Sequence, residues 1–431
     1  MDEARQIITR LRQAGFTAYL TGGCVRDRLL GNPIQDYDVA TSARPDEILS
    51  LFPAAKQVGA HFGVALIHGV EVATYRSDGH YLDGRHPEQV HFENDPAQDA
   101  SRRDFTINGM FLDPDQDQIL DFVGGQQDLE QKIIRAIGDP ELRFQEDHLR
   151  MLRAIRFAAR LNFTIEPQTL AAIQKLAPRI HSIAAERIRD ELTRMLTEGH
   201  PRRAVELLDD SGLLQEVLPE VKAFQDVEQP PEFHPEGDVW THVLIMLDLL
   251  DHPSPTLAWG VLLHDVGKPG TFQNLDRIRF NGHVELGVKI SREILNRYRF
   301  SSEDRDQIIA LVENHMRFGD VHRMKASTLK RFFRLPVFEE HLELHRVDCT
   351  SSNNQLDNYQ FAKGEYEILP PEIIRPLRLL TGKDLIQAGW PPGPFFTSVL
   401  NAVEDAQLEG KIQTKEEALE LATRIRQQSL M

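Results

Sequence analysis

The rhythm of apolar and polar positions changes along the chain, and the changes divide it. Ile7, Ile8 and Leu11 share one face of a predicted opening helix, and Thr17 to Thr21 reads as a short strand. Ala65 to Tyr75 reads as two apolar strands around a His68-Gly69 turn, with antiparallel pairing expected. From Arg76 to Asp95 the pattern gives way to Gly, Asp, His and Pro, the composition of an unusually long surface loop. From Pro140 onward the spacing is helical: Leu149, Leu152, Ile155, Phe157, Ala158 and Leu161 form one stripe, and later segments continue it. The segment from Gln229 to Pro235 reads as a linker. A last unit begins near Thr381; its Pro391-Pro392-Gly393-Pro394 loop precedes a helix, and Thr414 with Glu417 forms a capping box. The expected fold class is α+β, a small mixed-sheet head followed by all-α regions. The expected boundaries are 1–137 for the head, 138–228 for a helical neck and body, 229–360 for a histidine-rich unit and 361–431 for a helical tail.

A length of 431 residues fits this division, at about 150 residues per domain. No apolar tract has membrane length and none behind Met1 reads as a secretion signal, so the expectation is a soluble cytoplasmic protein with no membrane partner. The two cysteines, Cys24 and Cys349, lack the neighbours of a thiolate metal site, which leaves His, Asp and Glu to hold any metal. Lys plus Arg number 49 against 66 for Asp plus Glu, a net charge of −17, and this excludes a globally basic nucleic-acid coat. It does not exclude RNA, because phosphate attraction is local. Between Arg143 and Arg203 basic residues outnumber acids and form a candidate RNA-facing stripe, although solvated helix faces would account for part of it.

Four constellations in the first half carry chemistry. Gly22-Gly23-Cys24-Val25-Arg26 follows a strand and opens a helix, so backbone N–H groups and Arg26 can approach phosphate oxygens; a plain turn would look the same. Asp36 and Asp38, two apart on a strand, can hold the same hard cations, or mark a solvated strand end. Arg102-Arg103-Asp104-Phe105-Thr106-Ile107-Asn108 offers two cations for a triphosphate and polar groups for a ribose. On a predicted helix, Asp147 and Arg150 share a face. An ionised carboxylate only accepts hydrogen bonds and a guanidinium only donates them. Cytosine and adenine each present an amino donor beside a ring-nitrogen acceptor, and uracil and guanine reverse that order. An Asp/Arg pair can therefore accept C and A and refuse U and G.

With these motifs in order, followed by Asp121-Phe122-Val123-Gly124-Gly125 and Arg143 to Asn162, the first 220 residues or so resemble the class II tRNA nucleotidyltransferases, the family of CCA-adding enzymes and bacterial poly(A) polymerases. The resemblance implies that Asp36 and Asp38 bind catalytic Mg²⁺. It implies that Gly22, Gly23, Arg26, Arg102 and Arg103 contact the nucleotide, with Asp104 and Asn108 near its sugar. Asp147 and Arg150 become an amino-acid template, Arg153 and Arg156 lie near the phosphates, and Glu186-Arg187-Ile188 opens a supporting helix. The implied substrates are tRNA, CTP and ATP. Within the family, CC-only enzymes lack a flexible loop, and the resemblance implies that Arg76 to Asp95 keeps it here through Asp78, Tyr81, Asp83, Gly84, Arg85 and Pro87. Full CCA addition is the expected activity, with A-only addition and poly(A) synthesis as alternatives.

Nine of the seventeen histidines fall between His234 and His345. His264-Asp265-Val266-Gly267-Lys268, with His242 before it and Asp348 after, resembles the HD phosphohydrolase signature, and His283 and His315 stand where a second metal's ligands are found in that superfamily. Imidazoles with carboxylates suit a divalent transition metal or Mg²⁺. His234, His252, His322, His341 and His345 read as structural. A rival from another enzyme class follows: an HD phosphohydrolase whose head is a non-catalytic tRNA-binding module. The tail motifs Gly382 to Ile386 and Gly389 to Pro394 resemble a segment of some bacterial CCA-adding enzymes and imply no catalytic role.

Overall fold

The computed structural model describes residues 1–34, 36–58, 63–79, 90–274 and 276–430. They form two compact units: residues 1–222 with 297–299, and residues 223–296 with 300–431.

The first unit opens with helix α1 (Asp2–Gln13), which buries Ala4, Ile7, Ile8 and Leu11 as the spacing predicts. Strand β1 (Ala18–Thr21) leads into helix α2 (Gly23–Leu29), and strand β2 (Asp38–Thr41) into helix α3 (Pro45–Leu51). Strands β3 (Lys56–Gln57), β4 (Val64–Ile67) and β5 (Val70–Thr74) follow. The β4–β5 hairpin is antiparallel, and His68 and Gly69 both have positive φ (51° and 86°), the twist that a two-residue turn between right-twisted strands requires. Strands β8 (Phe111–Asp113) and β9 (Gln118–Leu120) complete a seven-stranded sheet in the order β3-β4-β5-β2-β1-β8-β9. The central strand β2 is antiparallel to β1 and parallel to β5, so Thr21, Asp38 and Glu71 stand in register across three strands.

Regular structure lies at both ends of the expected loop from Arg76 to Asp95. Its ends pair as strands β6 (Arg76–Asp78) and β7 (Val90–Phe92), and helix α4 (Pro96–Ser101) begins directly after Asp95, whose carboxylate caps Ala97 N. Tyr81, Asp83, Gly84, Arg85 and Pro87 lie outside the described residues.

The remainder of this unit is helical except for two paired two-residue strands, β10 (Ile133–Ile134) and β11 (Thr164–Ile165). Helix α5 (Gly125–Glu130) is followed by α6 (Pro140–Glu146) and α7 (Leu149–Leu161). The stripe on α7 buries Leu149, Leu152, Ile155, Phe157 and Ala158, and each fully buried large side chain stabilises by roughly 1.5–3 kcal/mol. Asp147 is not helical: at φ −147°, ψ 105° it ends α6, and its Oδ1 accepts Leu149 N at 3.0 Å at the start of α7. An aspartate before an apolar stripe is a helix-start signal, and the helix expected through 146–150 breaks there for that reason.

In the second unit the helix Pro255–Leu263 is apolar on every side and correspondingly buried, from Leu257 to Leu263. A Cβ added at Gly267 would stand 2.0 Å from His283 O, so glycine is what lets the helix His283–Arg297 close on the His264-to-Lys268 turn. The tail has its own core around Leu385, Trp390, Val399 and Val403. The Thr414–Glu417 capping box forms as expected, and Thr381 with Asp384 makes a second. Among the described residues no helix is long and apolar enough to cross a membrane.

Candidate active site and histidine centre

The first site begins where β1 ends. Gly22 turns the chain at φ 75°, ψ −138°, and a side chain there would reach within 3.4 Å of Asp38 Oδ2 and 3.5 Å of Arg103 Nη1. Asp38 opens the central strand, and Asp36 lies in the exposed segment before it rather than on the strand itself. Burial, the neighbouring Glu71 and Asp36 push the Asp38 carboxyl up to about 6, against the pull of Arg103. A buried carboxyl that disfavours its own charge, flanked by two further carboxylates, is a donor set suited to a hard divalent cation. Glu71 belongs to no motif; only its register opposite Asp38 reveals it.

A chain of ion pairs forms the floor. Asp99, buried, holds Arg102 Nε at 2.8 Å and Arg103 Nη2 at 2.8 Å, and these two cations keep its carboxyl low despite burial. Arg26 Nη1 donates to Asn108 Oδ1 at 2.7 Å, Asn108 Nδ2 donates to Asp104 Oδ1 at 3.1 Å, and Arg153 Nε donates to Asp104 Oδ2 at 2.9 Å. Burial raises the Asp104 carboxyl, but Arg153 and Asn108 overcome that and bring it to about 2. Arg156, buried, donates to Glu191 Oε2 at 2.6 Å.

The expected template residues face the same space. Asp147 Oδ2 accepts Arg187 Nη2 at 2.8 Å. Arg150 Nη1 donates to Glu146 Oε2 at 2.6 Å and its Nη2 to Arg102 O at 3.2 Å. One cavity of about 540 Å³ is lined by Gly22, Gly23, Arg26, Asp38, Arg102, Arg103, Asp104, Asn108, Asp147, Arg150, Arg153 and Arg156, joined by Leu149, Phe157, Arg160 and Arg187. Residues up to 165 positions apart thus share one wall, and every nucleotide-contact residue expected from sequence lies on it.

The second site is a buried cluster of imidazoles. His242 Nε2 lies 3.2 Å from Asp348 Oδ1 and His264 Nε2 3.1 Å from Asp265 Oδ2; His283 Nε2 and His315 Nε2 each lie 3.9 Å from Asp265 Oδ1. His264, His283 and His315 each point Nδ1 at the carbonyl three residues earlier, at 2.7 to 2.9 Å. A carbonyl only accepts, so Nδ1 carries the proton and Nε2 a lone pair. The Nε2 atoms of His242, His264, His283 and His315 are all buried without a hydrogen-bond partner. Orphaned buried acceptors around a carboxylate fit a divalent metal. His341 and His345 pack into the interior instead, His345 stacked on Phe318 at 4.3 Å, and His252 is exposed, in line with their structural reading. His234 lies against His242 at 4.9 Å between ring centroids and shares Glu236 with it.

Three family models match in the same order. A poly A polymerase head domain covers residues 18–135, a probable RNA- and SrmB-binding site of polymerase A covers 162–225, and an HD domain covers 238–345. A CCA-adding enzyme of Leuconostoc mesenteroides is 32% identical over 423 residues, 97% of this chain and 94% of that protein. The crystal structure of a Bacillus stearothermophilus CCA-adding enzyme in complex with CTP covers 99% of this chain and 98% of its own, with 28% identity and a TM-score of 0.75. A Thermotoga maritima CCA-adding enzyme complexed with tRNA shares the fold at a TM-score of 0.56 and 20% identity, covering 98% and 94% of the two chains. With a relative of this identity matching nearly end to end, the chain belongs to the CCA-adding enzymes of the class II tRNA nucleotidyltransferases, with an HD domain following its RNA-binding region.

Proposed function

We propose that this protein adds C, C and A to the 3' end of tRNA from CTP and ATP, without a nucleic-acid template. The observation that carries the reading is the single cavity in which the Gly22 turn, Asp38, the Arg102–Arg103 pair and the Asp147–Arg150 pair meet. The tRNA 3'-hydroxyl attacks the α-phosphate of the bound nucleotide, a P–O bond forms, and pyrophosphate leaves. Asp36 and Asp38 would hold Mg²⁺, which supplies the positive charge that activates a hydroxyl and neutralises pyrophosphate. Arg26, Arg102, Arg103, Arg153 and Arg156 set a cationic surface for the triphosphate, Asp104 and Asn108 orient the sugar, and Asp147 with Arg150 read the base edge. Asp147 and Arg150 are engaged by Arg187 and Glu146, which hold both side chains in place, and base recognition would compete with these partners.

The purified protein, given labelled tRNA lacking its 3' end with CTP, ATP or both, tests this. Two C residues with CTP alone and CCA with both support it. A single A only on tRNA already ending in CC would indicate an A-adding enzyme, a long A tract a poly(A) polymerase, and no addition a head that only binds tRNA. A second activity is favoured by the four unpartnered Nε2 atoms: His242, His264, Asp265 and Asp348, with His283 and His315, would hold a divalent transition metal or Mg²⁺, which would supply the charge for hydrolysis of a phosphate ester.

A further inference from the structure

The segment expected to be a linker forms a wall of the histidine centre. Gln229 is buried and its Oε1 accepts Lys268 Nζ at 2.6 Å, and Lys268 stands 2.7 Å from Asp265 Oδ2. Seven residues on, Glu236 Oε1 lies 2.9 Å from His234 Nδ1 and 2.7 Å from His242 Nδ1. Both Gln229 and Glu236 precede residue 238, where the matched HD domain begins.

We propose that Glu236 is the positioning residue of the histidine centre, fixing the proton of His242 on Nδ1 and so dedicating Nε2 to a divalent cation. This rests on the reading of the centre as a metal site. A neutral imidazole has one proton and one lone pair on its two ring nitrogens. The other three histidines place that proton against a backbone carbonyl of their own chain segment. His242 alone places it against a carboxylate, with Ser351 Oγ more distant at 3.2 Å. A carboxylate holds an N–H more strongly than a carbonyl does and makes the far nitrogen a better donor. The His234, Glu236 and His242 atoms also lie close enough together to be taken for a metal site of their own. That alternative would use the His242 lone pair at Nδ1 and leave Nε2, buried beside Asp348, with a proton aimed at the other ligands.

Full-length parent, Glu236→Gln, Glu236→Ala and His264→Ala proteins are titrated with Ni²⁺ against a chromophoric chelator, after circular dichroism has shown which variants fold. The parent is expected to bind Ni²⁺ in a manner that His264→Ala abolishes. Glu236→Ala should weaken that binding by about 10- to 100-fold. Glu236→Gln, which keeps an acceptor oxygen but loses the charge, should weaken it by a smaller factor, and it carries the test if the alanine variant does not fold. Glu236→Gln with the parent's affinity overturns the proposal. A parent without His264-dependent Ni²⁺ binding overturns the metal reading beneath it, and the proposal with it.

Discussion

The cavity of the first unit and the histidine centre of the second hold their polar groups in opposite ways. In the cavity the charges satisfy one another: Asp99 with Arg102 and Arg103, Asp104 with Arg153, Asp147 with Arg187, Glu146 with Arg150. Such a site is held in shape by its own ion pairs. In the histidine centre four buried Nε2 atoms have no hydrogen-bond partner among the described residues, an arrangement that suits a bound cation. A preorganised ion-pair network suits recognition of a polyanion that enters and leaves in every cycle, and orphaned imidazoles suit an ion that stays.

The largest expected effect breaks the first site alone. Asp36→Ala or Asp38→Ala should lower nucleotide addition by on the order of 10³-fold or more in a single-turnover tRNA assay. The melting temperature should hold, because the fold already disfavours the Asp38 charge and pushes its carboxyl up to about 6. The complementary break is His264→Ala with Asp265→Ala, which should remove bound metal and any metal-dependent phosphodiesterase activity towards 2',3'-cyclic nucleotides. Nucleotide addition should continue. Metal analysis beside both activity assays checks it, and loss of addition would show that the two sites are not separable.

A smaller effect measures how strongly the cavity holds itself. Asp104 titrates at about 2 in the folded protein against an ordinary value of 3.8, so it contributes about 2 kcal/mol of stability above pH 4. The folded carboxyl is depressed, so this contribution is lost as the pH falls from about 4 towards 2. Urea unfolding of the parent and Asp104→Asn across that window should show a steeper loss of stability in the parent than in the variant, by about 2 kcal/mol in total. The smallest effect concerns Arg187. Its ion pair with Asp147 is partly exposed and worth about 1 kcal/mol or less, so Arg187→Met should loosen nucleotide selection about fivefold, read as CTP over UTP incorporation.

The two sites were legible in sequence to different depths. Contiguous motifs announced the candidate groups: Gly22-Gly23, Asp38, Arg102, Arg103, Asp104 and Asn108 line one cavity and His264-Asp265 the histidine centre, whereas Asp36 lies just before the strand on which the spacing placed it. The groups that hold these in place come from distant segments and carry no local pattern. Glu71 is visible only through strand register, Glu191 only through its pairing with Arg156, and Asp99 only once helix α4 turns it under Arg102 and Arg103. Glu236 was hidden by composition, because it directly follows the proline-rich segment 229–235 that reads as linker. The helix break at Asp147 was readable, since an aspartate before an apolar stripe is a cap signal, but the helical period on both sides concealed it.

The central claim is that protein side chains, Asp147 foremost, read the incoming base. It is tested most directly by measuring kcat/KM for CTP, ATP, UTP and GTP on tRNA lacking its 3' end, and on tRNA ending in CC, with the parent and Asp147→Ala. An unpaired buried edge costs about 1 to 3 kcal/mol, so the variant should lose tenfold or more of its preference for CTP and ATP over UTP and GTP while tRNA affinity changes little. A variant that excludes UTP and GTP as strictly as the parent would contradict the account.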